Sequence, residues 1–188
     1  MNTLVWPDSA MIRSGKPLFL PDDKMRLHIG LVAKINAVGK TIRLKFAGRY
    51  FNETAPAAFF LTEEVSRQIA NMEDPPACHI VSDYSVICGD FISSPYSIPN
   101  SIQLGINPLK HADTDICTGH SVADTDILIK INEPEIMICN SIVAASVRNT
   151  LKTGDLVGFM LPEFYTVTPE KLLKVRVDGR LLIENKLK

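Results

Sequence analysis

Between Leu27 and Asn36 the chain changes polarity at nearly every step: Leu27, Ile29, Leu31, Ala33 and Ile35 alternate with His28, Gly30, Val32, Lys34 and Asn36. A period of two is the signature of a strand with one face in a core. Such a strand needs partners, and the sequence offers them. Ile127 to Ile131 and the residues from Leu156 onward have strand character, and Leu172 to Val177 and Leu181 to Leu187 flank Asp178-Gly179, a strong short hairpin signal. Helices are fewer: a short one over Lys45 to Glu53, one opened by the capping hydroxyl of Thr62 and ending near Asn71, and a buried one over Ser141 to Thr150. Gly154 lies just past the last of these, and Leu156 starts a new strand. The sum is an α+β chain, mainly β.

Prolines divide the chain. Pro7, Pro17 and Pro21-Asp22-Asp23 make the first two dozen residues extended, a compact region runs from Lys24 to about Asn71, and Glu73-Asp74-Pro75-Pro76 breaks it. Ser93 to Asp126, with Pro95, Pro99 and Pro108 before an acidic, His-containing run, reads as a long surface excursion. The 188 residues suit a single domain with that excursion. Twenty basic against twenty-one acidic residues leave a net charge of -1, which argues against a charge-driven nucleic-acid or membrane-surface partner. Met1 to Ile12 lacks the pattern of an export signal, and Ile136 to Val147, the longest uncharged apolar stretch, is too short for a bilayer. Cys78, Cys88, Cys117 and Cys139 form no CxxC pair. A cytosolic protein with reduced thiols is expected.

Several segments in order resemble the fumarylacetoacetate hydrolase family, metal-dependent enzymes that cleave, isomerise or decarboxylate acylpyruvate-like keto acids. Lys16-Pro17-Leu18-Phe19-Leu20-Pro21-Asp22-Asp23 is similar to the family's entry into its sheet. Leu31-Val32-Ala33-Lys34-Ile35, Gly39-Lys40-Thr41-Ile42 and Phe46-Ala47-Gly48-Arg49-Tyr50-Phe51-Asn52-Glu53 are similar to its central strand and the helix after it. Asp83-Tyr84-Ser85-Val86-Ile87-Cys88-Gly89-Asp90-Phe91-Ile92 stands where members carry an Asp-Gly-Ser-Ala-Pro-x-Gly segment. Leu151-Lys152-Thr153-Gly154-Asp155-Leu156, with a closing hairpin behind it, is the most specific match. About two-thirds of the chain is covered. The resemblance implies the mixed β-sheet roll of the family's C-terminal domain and a homodimer.

In the family a Mg²⁺, Mn²⁺ or Ca²⁺ ion sits on a Glu-x-Glu pair of the central strand and an Asp farther on, because a hard cation needs anionic oxygens. The resemblance places those ligands at His28, Gly30 and Phe59, none of which is a carboxylate. Members also carry a Thr-Gly-Thr-Pro substrate clamp, matched here by Phe159-Met160-Leu161-Pro162, and an upstream water-activating His and Glu that find no counterpart, since the chain starts about where that segment ends. Metal, base and clamp are unrelated parts, and all three change in the direction that abolishes the chemistry. No cofactor is expected, and no catalytic residue is assigned.

Other constellations allow a sharp and a bland reading. His111, Asp113, Asp115, Cys117 and His120, with Asp124 and Asp126 beyond, could form a transition-metal loop, but the spacing fits no zinc pattern and lacks the glycine and terminal Glu of a calcium loop, so a solvated loop is preferred. Cys78, His79, Asp83, Ser85 and Cys88 lie close in sequence without a nucleophile elbow, and Cys88 reads as core. A lone His28 on a strand reads as hydrogen-bonded structure. Phe59-Phe60, Phe159-Met160 and Phe164-Tyr165 are core or the lining of a surviving pocket, with Lys40, Arg49 and Tyr50 as polar groups at its edge.

The reading is a divergent family member without its metal and catalytic groups, a binding or regulatory homologue that pairs with itself or with an active paralogue. The rival is an active enzyme with a relocated metal, on His28 and the acidic excursion. The ligand is unspecified.

Overall fold

The computed structural model describes residues 2–6, 11–71, 85–93, 98–108 and 126–188. The alternating segment becomes the middle of a mixed sheet. β3 (Met25–Ile35) lies antiparallel between β4 (Phe51–Leu61) and β9 (Leu156–Val167). β1 (Asn2–Trp6) extends the sheet beyond β9, and β5 (Val86–Cys88) and β2 (Met11–Arg13), mutually parallel, extend it beyond β4. β6 (Ile92–Ser93) pairs with the other end of β4. A second sheet has the order β11 (Arg180–Leu187), β10 (Lys171–Val177), β7 (Ser101–Pro108), β8 (Ile127–Lys130).

The odd-numbered side chains of β3, Leu27 through Ile35, enter one large apolar cluster that also takes Ile102 and Leu104 of β7 and Leu173 and Val175 of β10. Both sheets therefore share a core. α3 (Pro134–Arg148) adds Ile138, Ile142 and Ala145 to it and packs on β9 and β1. The Asp178-Gly179 hairpin forms with both residues at positive φ, +50° and +77°, the geometry of the primed two-residue turn.

Five expectations are corrected. β3 is covered on both faces, only Lys34 being exposed, because α2 (Glu63–Asn71) and the side chains of β4 lie over the even face. The helix after Thr41 is the four-residue α1 (Leu44–Ala47), and Phe51 to Glu53 already belong to β4. α3 starts at Pro134 rather than at Ser141, with Glu133 turning the chain at φ +48°. The excursion is not all surface loop: Ser101–Pro108 is an inner strand whose Ile102 and Leu104 are fully buried. The opening residues, expected to be extended and loop-like, supply β1 and β2. Among the described residues no helix is long and apolar enough to cross a membrane.

Candidate functional site

The even face of β3 is where the candidate ligand positions meet. Antiparallel register sets His28 opposite Phe59 and Gly30 opposite Ala57, and the strand's period places His28 and Gly30 on one side. Around them Val32, Ala55, Ala57, Phe59, Leu61, Val86, Cys88 and Met160 form a second apolar cluster. Phe59 is 1% exposed, so its ring is fully enclosed.

The β3–β9 register shifts between His28 and Gly30, and Leu161 to Glu163 have no ladder partner on β3. The freed Leu161 carbonyl lies 3.0 Å from His28 Nδ1. A carbonyl only accepts, so Nδ1 holds the proton and Nε2 presents its lone pair. Nε2 in turn lies 3.2 Å from the Ser66 hydroxyl on α2, which donates to it. Arg26, two residues before His28 and on the same face, donates from Nη1 to the Ser66 oxygen at 3.4 Å and from Nη2 to Glu63 at 2.8 Å. Its guanidinium also stacks 4.3 Å from the centre of the Phe164 ring. The bonds run in one direction, from Arg26 to Ser66 to His28 to the Leu161 carbonyl, and leave no ring nitrogen of His28 unengaged.

Burial, with the Arg26 charge adding to it, pulls the His28 pKa below its ordinary 6.5 against the opposing pull of the Leu161 carbonyl. The ring is neutral at pH 7. Because the unfolded chain takes up the proton first, stability is full above 6.5 and falls as pH drops from 6.5 toward the folded-state pKa. Denaturant midpoints are therefore expected to decline from pH 7.5 to 5.5 in the wild type, and to decline less in His28→Gln. An equal decline in both proteins would remove His28 as the source.

These residues do not fit a hard divalent cation. Neutral His28 has both nitrogens committed, Phe59 offers a phenyl ring, and Gly30 has neither side chain nor space for one: a Cβ there would lie 2.0 Å from the Phe159 carbonyl oxygen. Among the described residues no group of three or more His, Cys, Asp or Glu is placed to hold a metal. His111, Asp113, Asp115, Cys117 and His120 lie outside the described residues, as do Cys78, His79 and Asp83.

The remaining candidates are dispersed. Met160 faces Phe59 in the second cluster, whereas Phe159 points through the sheet into the main core. Lys40 and Arg49 are exposed, and Tyr50, whose carbonyl accepts from Asn36 N–H, stands at the far end of β3, eight residues or about 27 Å of strand from His28. The structure does not join these three to the His28 face. Cys88 is buried in β5, and desolvation, helped by Asp90, pushes its thiol up to about 12. At pH 8 that leaves roughly one thiolate in ten thousand. Iodoacetamide is expected to leave Cys88 unlabelled in the native protein and to label it after unfolding; rapid native labelling, mapped by mass spectrometry, would contradict this.

The Ser66–Arg26 part of the relay was missed in the sequence. A signal existed: Arg26 and His28 share a face by period two, and Glu63 and Ser66 share one by helical spacing of three.

No protein-family profile matches the sequence, and no curated protein matches it. Its fold is nevertheless that of the fumarylacetoacetate hydrolase family. A family protein from Yersinia pestis superposes with a TM-score of 0.70 at 15% identity, over 97% of this chain and 82% of that one. Fumarylpyruvate hydrolase from Pseudomonas aeruginosa, in complex with Mn²⁺ and pyruvate, gives 0.63 at 19% over 97% and 77%. The 2-hydroxyhepta-2,4-diene-1,7-dioate isomerase from Mycobacterium marinum gives 0.67 at 13% over 96% and 66%.

Proposed function

We infer that the chain is a divergent, single-domain member of the fumarylacetoacetate hydrolase family that has given up its metal-dependent chemistry and acts as a non-catalytic binding or regulatory homologue. One observation carries this reading: the face of β3 with the inherited ligand positions holds a neutral, doubly hydrogen-bonded His28, a walled-in Gly30 and a buried phenyl ring. The Pseudomonas aeruginosa hydrolase is described with Mn²⁺ and pyruvate. Holding such a pair takes anionic oxygens and a polar clamp, and here Met160 and Leu161 occupy part of the clamp segment as buried apolar residues. Replacing buried charges by apolar groups often stabilises a fold, which gives the loss a physical rationale.

Assembly as a homodimer, or with an active paralogue in the cytosol, belongs to the same proposal; it is supported by the shared fold, and co-purification tests it. The activity test is an assay of acylpyruvate, fumarylpyruvate and oxaloacetate with added Mg²⁺ or Mn²⁺. No turnover above the uncatalysed rate is expected. Metal-dependent turnover that tracks the purified protein would establish an enzyme instead.

A further inference from the structure

A cleft of about 460 Å³ opens along β2, the strand at the sheet edge beyond β5, and its described lining is Met11, Ile12, Arg13, Lys16, Pro17 and Phe19; Met11 also packs against the cluster that holds Phe59. Its size falls in the range of small-molecule sites. Of these described lining residues four are apolar and two are cationic, and none is a carboxylate. Phe19 is 70% exposed, a large aromatic surface left to solvent beside the opening.

Neither cation is ion-paired with another described residue: the ion pairs among those residues engage Arg26, Lys34, Arg67, Lys174 and Arg176. Glu184, which the backbone hydrogen bonds bring against this turn, directs its carboxylate toward Lys174, 4.0 Å away. The turn itself is fixed. Buried Asn185 donates through its amide nitrogen to the carbonyls of both Arg13 and Lys16, Lys16 N–H donates to the Arg13 carbonyl, and Gly15 N–H donates to the Glu184 carbonyl. One buried side chain thus holds the two charged residues in register beside an apolar wall, so little backbone ordering remains to oppose binding.

We propose that this cleft binds a small amphipathic anion, an apolar tail bearing one carboxylate, with the tail along Met11, Ile12, Pro17 and Phe19 and the head group between Arg13 and Lys16. The planar guanidinium matches a carboxylate by two parallel N–H donors, and the Lys16 ammonium adds a point charge. The site does not depend on whether the chain is a retired enzyme, and its test uses no metal and no turnover.

The experiment is calorimetric titration of the full chain with monomeric decanoate, below its micelle concentration, alongside decanol, acetate and decyl phosphate. Saturable one-to-one binding of decanoate is expected, at least tenfold weaker for decanol and acetate and weakened by salt. Decyl phosphate binding as tightly would move the head group from carboxylate to phosphate and overturn that part of the assignment. The double variant Arg13→Gln/Lys16→Gln, whose side chains are exposed, is expected to fold normally and lose at least tenfold in affinity. Unchanged affinity in that variant would overturn the proposal. So would no saturable binding, capture only by anionic phosphatidylglycerol vesicles, or sedimentation showing that a second copy covers the cleft.

Discussion

Gly30→Ala is expected to destabilise the protein by about 3 kcal/mol, at or beyond the upper end of ordinary core overpacking. A methyl group at this position would stand 2.0 Å from the Phe159 carbonyl oxygen, 3.0 Å from the Phe159 carbonyl carbon and 3.0 Å from the Phe59 ring. The first two are backbone atoms of β9, paired to β3 in the centre of the larger sheet, so relief requires moving a strand and not a rotamer. Gly30→Glu, which restores the acidic residue of the resemblance, is expected to cost more, since it adds a buried charge to the same clash. Gly48→Ala is the control: nothing lies within 4 Å of a Cβ there and φ is -61°. It should change stability by only a few tenths of a kcal/mol. Urea unfolding of the three variants measures this, and a Gly30→Ala midpoint equal to that of Gly48→Ala would refute the packing.

Phe59 tests the same face from the opposite strand. Truncation to alanine should cost about 3–5 kcal/mol, the usual penalty for emptying a fully buried aromatic position that cannot collapse. Phe59→Asp should cost as much or more, because it loses the ring and strands a carboxylate among Val32, Ala57, Val86 and Met160. The informative arm is Phe59→Asp with Mn²⁺. A working coordination site would recover stability by binding the folded state, about 2.7 kcal/mol at a hundredfold excess over Kd. Here the midpoint is expected to stay put, because His28 and Gly30 add no anionic oxygen. Recovery of the midpoint with Mn²⁺ would show that the site is one substitution from function.

What could be read in advance depended on whether local pattern and tertiary context agreed. The period of β3 and the Asp178-Gly179 turn were legible, since alternation and left-handed turn residues act locally. Thr62 likewise caps α2, accepting from Val65 N–H at 3.3 Å. β7 was hidden because Pro99 and Pro108 bracket it and suggest loop, while its burial comes from β10 and β8, distant in sequence. The first turns of α3 were missed although Pro134 sits in the first helical turn, where its missing N–H costs nothing. At the candidate site, sequence brought His28 and Gly30 together by strand period and added Phe59 only by resemblance; register then set it opposite His28. Lys40, Arg49 and Tyr50, expected at the pocket's edge, lie by the far end of β3, and an eleven-residue strand separates its ends by its whole length. The Ser66 link needed the docking of α2 on the even face, which no local pattern encodes.

The central claim concerns the oxygen donors of the β3 face, and titration calorimetry of the wild-type chain with Mn²⁺, repeated in the His28→Gln variant, tests it most directly. No saturable heat in either protein is the predicted result. Stoichiometric binding in the wild type that disappears in His28→Gln would contradict the account by placing the ion on the central strand.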